Sequence, residues 1–136
     1  MKKVFQILSI ILLILMLFSC SKNDDNDTTI SPVANPREVK YEVKGNYLGQ
    51  LTAVYYNASG VTVTETVTSL PWSKTLTVDP SVMGVGFTVA SVVGAGGQTG
   101  QSVTANLYSG SVLKKTATQA TDNNGYVNMG GLSIVF

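Results

Sequence analysis

Any catalysis by this chain would rest on carboxylates and hydroxyls, because its 136 residues include no histidine and a single cysteine. A Ser-His-Asp triad, a Cys-His pair and a histidine-ligated metal are therefore excluded. Glycosidase chemistry needs two carboxyl groups facing each other across a cleft, and past residue 36 the only acids are Glu38, Glu42, Glu65, Asp79 and Asp122. Glu38 and Glu42 fall on one face of a strand with Lys40 between them, so that face reads as solvated and charged. Oxygen ligands cluster at Asp122-Asn123-Asn124-Gly125, a pattern open to calcium, although a hairpin turn accounts for the same residues. The reading is a non-enzyme with no catalytic residue, no metal site and no cofactor. Binding is left, and its candidates are aromatic: Trp72, Tyr47, Tyr55, Tyr56, Tyr108 and Tyr126, whose rings and polar tips suit sugar or lipid surfaces. Strand alternation sends Tyr55 and Tyr56 to opposite faces. Trp72 reads first as a plug between sheets, with the Lys74 stem extended beside it. The apolar, glycine-rich Val82-Met83-Gly84-Val85-Gly86 reads as a buried strand entry, with an exposed loop for a partner as the alternative.

The one cysteine closes the stretch Leu17-Phe18-Ser19-Cys20. Ahead of it lie Lys2-Lys3, an apolar run from Ile7 to Phe18 broken only by Ser9, and the small residue Ser19. These are the basic, apolar and cleavage regions of a secretory signal. Even counted from Val4 the run is shorter than the roughly 20 residues of a spanning helix, and it then meets polar Ser21-Lys22-Asn23-Asp24-Asp25. Leu-Phe-Ser-Cys resembles the lipobox of bacterial lipoproteins. The resemblance implies that residues 1–19 are a signal peptide, and that Cys20 becomes the first residue, diacylated on sulfur and often acylated on nitrogen. Two or three chains at roughly 0.8 kcal/mol per buried methylene anchor stably where one would be marginal. An uncleaved membrane helix with an incidental cysteine is the alternative. The expected location is the outer membrane, on its surface or its periplasmic face. With no second cysteine no disulfide can form within the chain, so the exported domain must be held by its core.

Removing Lys2 and Lys3 leaves seven basic residues against eight acidic, close to neutral. No basic patch points to nucleic acid as a partner. Charged residues are only 12% of the chain and Gly, Ser, Thr, Asn and Val dominate, the composition of an extracytoplasmic β domain. Residues 20–36 comprise the lipidated cysteine and a polar stretch punctuated by Pro32 and Pro36. It holds too little apolar surface to fold and is expected to be a flexible tether. Lys22, Asp24, Asp25 and Asp27 resemble the charged tether that routes some lipoproteins to the outer face of the outer membrane, and Asp27-Thr28-Thr29 resembles a bacterial O-glycosylation acceptor. A plain linker accounts for both.

Residues 37–136 read as one domain. Val39, Tyr41 and Val43 alternate with Glu38, Lys40, Glu42 and Lys44, a half-solvated strand of an antiparallel sheet. Gly45-Asn46 turns the chain into a strand from Gln50 to Asn57 with bulk on both faces, as a central strand has. Val61, Val63, Glu65 and Val67 then alternate with four threonines. Pro71 marks a strand entry or an edge, and Thr75 to Val78 is the next strand. Val85 to Val93, the segment through Val103, Ala105 and Leu107, a tight Ser109-Gly110 hairpin and Val112 to Thr118 follow. Tyr126 to Met129 and Leu132 to Phe136 complete the count. Seven to eight short strands and no helical periodicity predict an all-β, immunoglobulin-like antiparallel β-sandwich.

Tyr41-Glu42-Val43-Lys44-Gly45, then Ala53-Val54-Tyr55-Tyr56-Asn57 ahead of Gly60, then Leu70-Pro71-Trp72-Ser73-Lys74-Thr75-Leu76-Thr77-Val78, resemble the small mycobacterial membrane protein family, MmpS. The likeness runs over the whole domain, with Ser109-Gly110 and Tyr126-Val127 at corresponding places, and is strongest in Leu-Pro-Trp-Ser-Lys. It implies a membrane-tethered extracytoplasmic β-sandwich accompanying a large lipid transporter of the resistance-nodulation-division type, with Leu70, Pro71, Trp72, Ser73 and Lys74 as the motif residues. Family members carry a cysteine pair in the last strands where this chain has Thr104, Ala105, Asn106 and Asn128, and their anchor is a helix rather than lipid. Fold therefore carries over more directly than partner. The expected role is a binding or accessory subunit of an envelope complex, a transporter among them. A surface adhesin or carbohydrate-binding module is the alternative.

Overall fold

Period-two alternation runs through the strands of this domain, broken by a bulge in β7. The computed structural model describes residues 37–136; the expected signal peptide 1–19, Cys20 and tether 20–36 lie outside the described residues. The strands are β1 (Glu38–Gly45), β2 (Leu51–Tyr56), β3 (Thr62–Val67), β4 (Trp72–Thr77), β5 (Gly84–Ser91), β6 (Ser102–Ser109), β7 (Val112–Ala120) and β8 (Leu132–Val135). They form two antiparallel four-stranded sheets, β4-β1-β6-β7 and β3-β2-β5-β8, packed as a β-sandwich with no helix among the described residues. As expected, β2 is central and Pro71 stands at the entry of an edge strand, β4.

The core follows from the alternation. Val39, Tyr41, Val43, Val103, Ala105 and Leu107 face inward from one sheet, and Leu51, Ala53, Tyr55, Val67, Val85, Phe87 and Val89 from the other. Tyr41 joins the sheets: its ring lies 5.1 Å from Tyr55 and 5.2 Å from Phe87. Its hydroxyl donates to the Tyr56 carbonyl at 2.8 Å, so this buried polar tip is satisfied. Burial raises its pKa.

The pairing follows immunoglobulin lines, in which the first sheet pairs B with E and the second runs C′-C-F-G; here β1 pairs β4, and β3-β2-β5-β8 is the second order. What differs is the strand beside β1. That place, which a preceding strand would occupy, is filled by β6 of the β6–β7 hairpin. Residues 21–36, with two prolines, hold no alternating apolar run of strand length, whereas Val103, Ala105 and Leu107 supply one.

β7 runs on to Ala120 rather than Thr118, and three further elements differ from expectation. β4 begins at Trp72 rather than Thr75, because Trp72 and Lys74 continue the inward row of Leu76. β5 ends at Ser91, leaving Val93 94% exposed. Tyr126 to Met129 is not a strand: it runs beside β5 through Ser91 N to Val127 O and Met129 N to Val89 O, both 2.9 Å, with one bridge at Asn128. Gly130-Gly131 then interrupts the ladder before β8. The loops here close tightly on Gly125, whose φ of +78° favours glycine and where a β-carbon would collide with the Gly97 carbonyl.

Candidate functional site

The two open flanks of the sandwich are treated differently by the sequence. On the flank between β3 and β4, Glu65 lies in phase with Val63 and Val67 and so faces inward. Val43, Tyr41 and Val39 oppose Trp72, Lys74 and Leu76, which puts those three inward as well. The carboxylate accepts from the Tyr55 hydroxyl at 2.9 Å and from Trp72 Nε1 at 3.2 Å, and pairs with Lys74 Nζ at 3.6 Å. The Tyr55 hydroxyl, then the indole N–H, hold Glu65 below the usual carboxylate range, while burial and that carboxylate push the Tyr55 hydroxyl up. The Trp72 ring packs on Tyr55 at 5.9 Å and stacks on Phe87 at 6.3 Å.

The Leu-Pro-Trp-Ser-Lys motif is thereby placed. Leu70 and Trp72 pack against the core, Pro71 follows a cis peptide bond, Ser73 is exposed on the outer face, and Lys74 reaches Glu65. Together they seal this flank. Glu65 was the missed member, and its signal was a charge in the apolar phase of β3.

On the outer face of β4-β1-β6-β7 a second carboxylate is saturated. Glu42 accepts from Lys40 Nζ and Asn106 Nδ2, each at 2.7 Å, and from the Tyr108 hydroxyl at 3.0 Å. Thr116 donates to Asn106 Oδ1 at 2.7 Å, and Lys40 Nζ sits 5.1 Å over the Tyr108 ring. The Lys40 bond first, then that of Asn106, lowers the Glu42 pKa to about 2 from an ordinary 4.5. A carboxyl with a depressed folded-state pKa stabilises fully above its unfolded value and loses that contribution as pH falls. The window here runs from about pH 5 down through about pH 2. With the side chain 18% exposed, the contribution is about 1–2 kcal/mol after screening. Glu42→Gln is expected to flatten the acid limb of stability, read as urea midpoints at neutral and acidic pH. An acid limb as steep in the variant as in the parent would place the titrating group elsewhere.

The six aromatics share no surface. Tyr55 is buried and Trp72 packs half-buried against the core from the flank, and Tyr108 lies on the outer face of one sheet. Tyr56 is 37% exposed on the other sheet's outer face. Tyr47 donates to or accepts from Ser91, Gly125 and Gly97 within the loops, and Tyr126 accepts from Gly94. Asp122 Oδ1 accepts from the backbone N–H of Asn124 and of Tyr126 at 2.8 Å each, the hairpin-turn arrangement. Among the described residues no group of three acid or cysteine side chains is placed to hold a metal.

The flank between β7 and β8 is the open one. Inward positions of β7 hold Lys115, Ala117 and Gln119, opposite Leu107, Ala105 and Val103, where β4 brings a tryptophan to the corresponding task. These small or charged residues do not fill the gap, and Leu132, Ile134 and Phe136 stay only partly buried. A groove of about 600 Å³ results, lined by Arg37, Lys114, Lys115, Ile134, Val135 and Phe136 with Ser109 and Ser133, a volume in the range of ligand sites. Compared with family models, curated proteins and solved structures, the chain matches none.

Proposed function

We propose that this chain is a lipid-anchored, non-enzymatic lipoprotein of the outer membrane, acting as a binding or accessory subunit of an envelope complex. Cys20 carries the acyl chains, residues 21–36 tether the domain, and the domain offers the part of its β7–β8 flank around Ala117 and Gln119 to the partner. The observation that carries the reading is the asymmetry of the flanks: Glu65, Trp72 and Lys74 seal one, while Lys115, Ala117 and Gln119 leave the other open. Non-enzymatic action is supported by Glu42 and Glu65, which lie on different sheets and each accept hydrogen bonds that hold the carboxyl below the usual range, so neither is poised to exchange a proton. A transporter is the partner class implied by the resemblance to the small mycobacterial membrane proteins. A carbohydrate-binding role loses its main residue, because a Trp72 ring stacked on Phe87 offers no platform to a sugar.

Photo-crosslinking of the intact lipoprotein in its own membrane tests this. A crosslinker at Gln119, an inward position of β7, is expected to capture one envelope protein that a crosslinker at Val63, an inward position of β3 on the sealed flank, does not. Identical captures from the two positions would sink the assignment of the flank.

A further inference from the structure

The two ends of the sandwich also differ. Arg37, the turn 57–61, the loop 78–83, the hairpin 109–112 and the end of β8 gather at one end. Hydrogen bonds tie them together: Asp79 N to Ala58 O at 2.8 Å, Val78 N to Arg37 O at 2.8 Å, Gly110 N to Glu38 O at 2.6 Å and Phe136 N to Met83 O at 3.1 Å. Residues 21–36 lead into Arg37, so this is the end by which the domain is attached. Eight large apolar side chains are exposed among the described residues, and five gather at this end, Val61, Met83, Val112, Leu113 and Val135, with Tyr56 on the adjoining outer face of the second sheet. Leu48 and Val93 lie at the other. Scattered exposed apolar residues need no explanation, whereas a gathering of them marks an interaction surface.

The cationic groove opens at the same end. Leu107 pairs with Lys115 and Tyr108 with Leu113, so Lys114 is the extra residue of a β-bulge. Strict alternation would send Lys114 and Lys115 to opposite faces; the bulge re-aims one, and both line the groove. No acidic side chain lines it, and neither lysine has an ion-pair partner among the described residues. The Arg37 guanidinium lies 4.6 Å from the Phe136 ring centroid while bonding carbonyls of Asp79, Pro80 and Val82, which fixes that wall. An edge lysine discourages sheet-to-sheet pairing, but a single one anywhere on β7 would do so, and that role does not call for apolar residues around it.

We infer that the tether-side end is a membrane-docking surface: its exposed aliphatic side chains enter the interface of an anionic bilayer, and Lys114 and Lys115 take the phosphate of an anionic headgroup. This rests on acylation of Cys20, which makes the bilayer the surface nearest this end. A random-coil chain of sixteen residues has a reach on the order of 20 Å, so a domain joined to the bilayer by that length meets it at high effective concentration and a weak contact suffices. Each basic residue near an anionic surface strengthens association by about fivefold.

The test uses the full lipidated protein in vesicles of brominated phosphatidylcholine, with or without phosphatidylglycerol. Val135→Trp puts a reporter at a site 86% exposed, and the parent protein, with Trp72 alone, supplies the background. On the anionic vesicles the added tryptophan is expected to lose roughly half its emission to the acyl-chain bromines. Little loss is expected on the neutral vesicles. Lys114→Gln with Lys115→Gln, or high salt, is expected to restore most of it. Met83→Trp, at a site 75% exposed, repeats the measurement should the first variant fold poorly. Mass spectrometry reports Cys20 separately. Acylated protein whose added tryptophan is equally bright on brominated and unbrominated anionic vesicles overturns the docking surface and leaves the anchor standing; an unacylated Cys20 overturns both.

Discussion

Cys20→Ala is expected to move this protein out of the outer-membrane fraction while its domain stays folded. Two or three acyl chains at roughly 0.8 kcal/mol per buried methylene contribute well over 10 kcal/mol of membrane affinity, and without the thiol none can be attached. The proposed docking surface is not expected to replace them, since a few lysines and aliphatic side chains give a contact that needs the acyl anchor to concentrate it. The domain itself has no stake in the substitution, because its buried core runs from Val39 to Met129 and no disulfide constrains it. Fractionation of cells grown with a labelled fatty acid, with thermal unfolding of the purified protein, reads both halves of the prediction. A variant that stays wholly membrane-bound, active and with its first 19 residues attached would replace the lipid anchor by a helical one.

The strands were legible because each carries a period-two signal strong enough to survive local exceptions: Val39-Tyr41-Val43 and Val103-Ala105-Leu107 are fully buried as the alternation requires. What the alternation does not encode is which strands become edges. β3 and β7 are both threonine-rich and both lie at edges, yet one flank is sealed and the other open, and the difference is made by partners distant in sequence. Glu65 became a half-buried acceptor at the flank only because Trp72 and Lys74 arrive from the other sheet. Lys114 and Lys115 share one groove only because a bulge breaks their alternation. Tyr126 to Met129 looked like a strand for the same reason that Val127 and Met129 are buried; it is Gly130-Gly131, not its own composition, that keeps it out of the ladder.

Trp72→Ala is expected to destabilise the domain by about 2–3 kcal/mol, somewhat below the value for a wholly buried tryptophan because the ring is only partly covered. Two losses add. The stacking faces of Tyr55 and Phe87 lose their neighbour, opening the flank between β3 and β4 to water. Glu65 loses the indole donor and keeps only the Tyr55 hydroxyl and Lys74. Trp72→Phe keeps one aromatic ring on Tyr55 and Phe87 while losing the N–H and the rest of the indole, and its cost is expected to be smaller, about 1–2 kcal/mol. In a domain of this size the alanine variant is expected to melt about 10–20 °C lower. A double-mutant cycle with Glu65→Gln then isolates the coupling: if the flank is a sealed unit, removing Trp72 costs less once the carboxylate is gone. A tryptophan serving as an exposed sugar platform would behave otherwise, with alanine leaving the melting temperature unchanged and abolishing binding instead. The sealed reading therefore fails if Trp72→Ala melts with the parent, and it gains its firmest support if the open β7–β8 flank keeps its crosslinking partner in Trp72→Phe while the domain is measurably weakened.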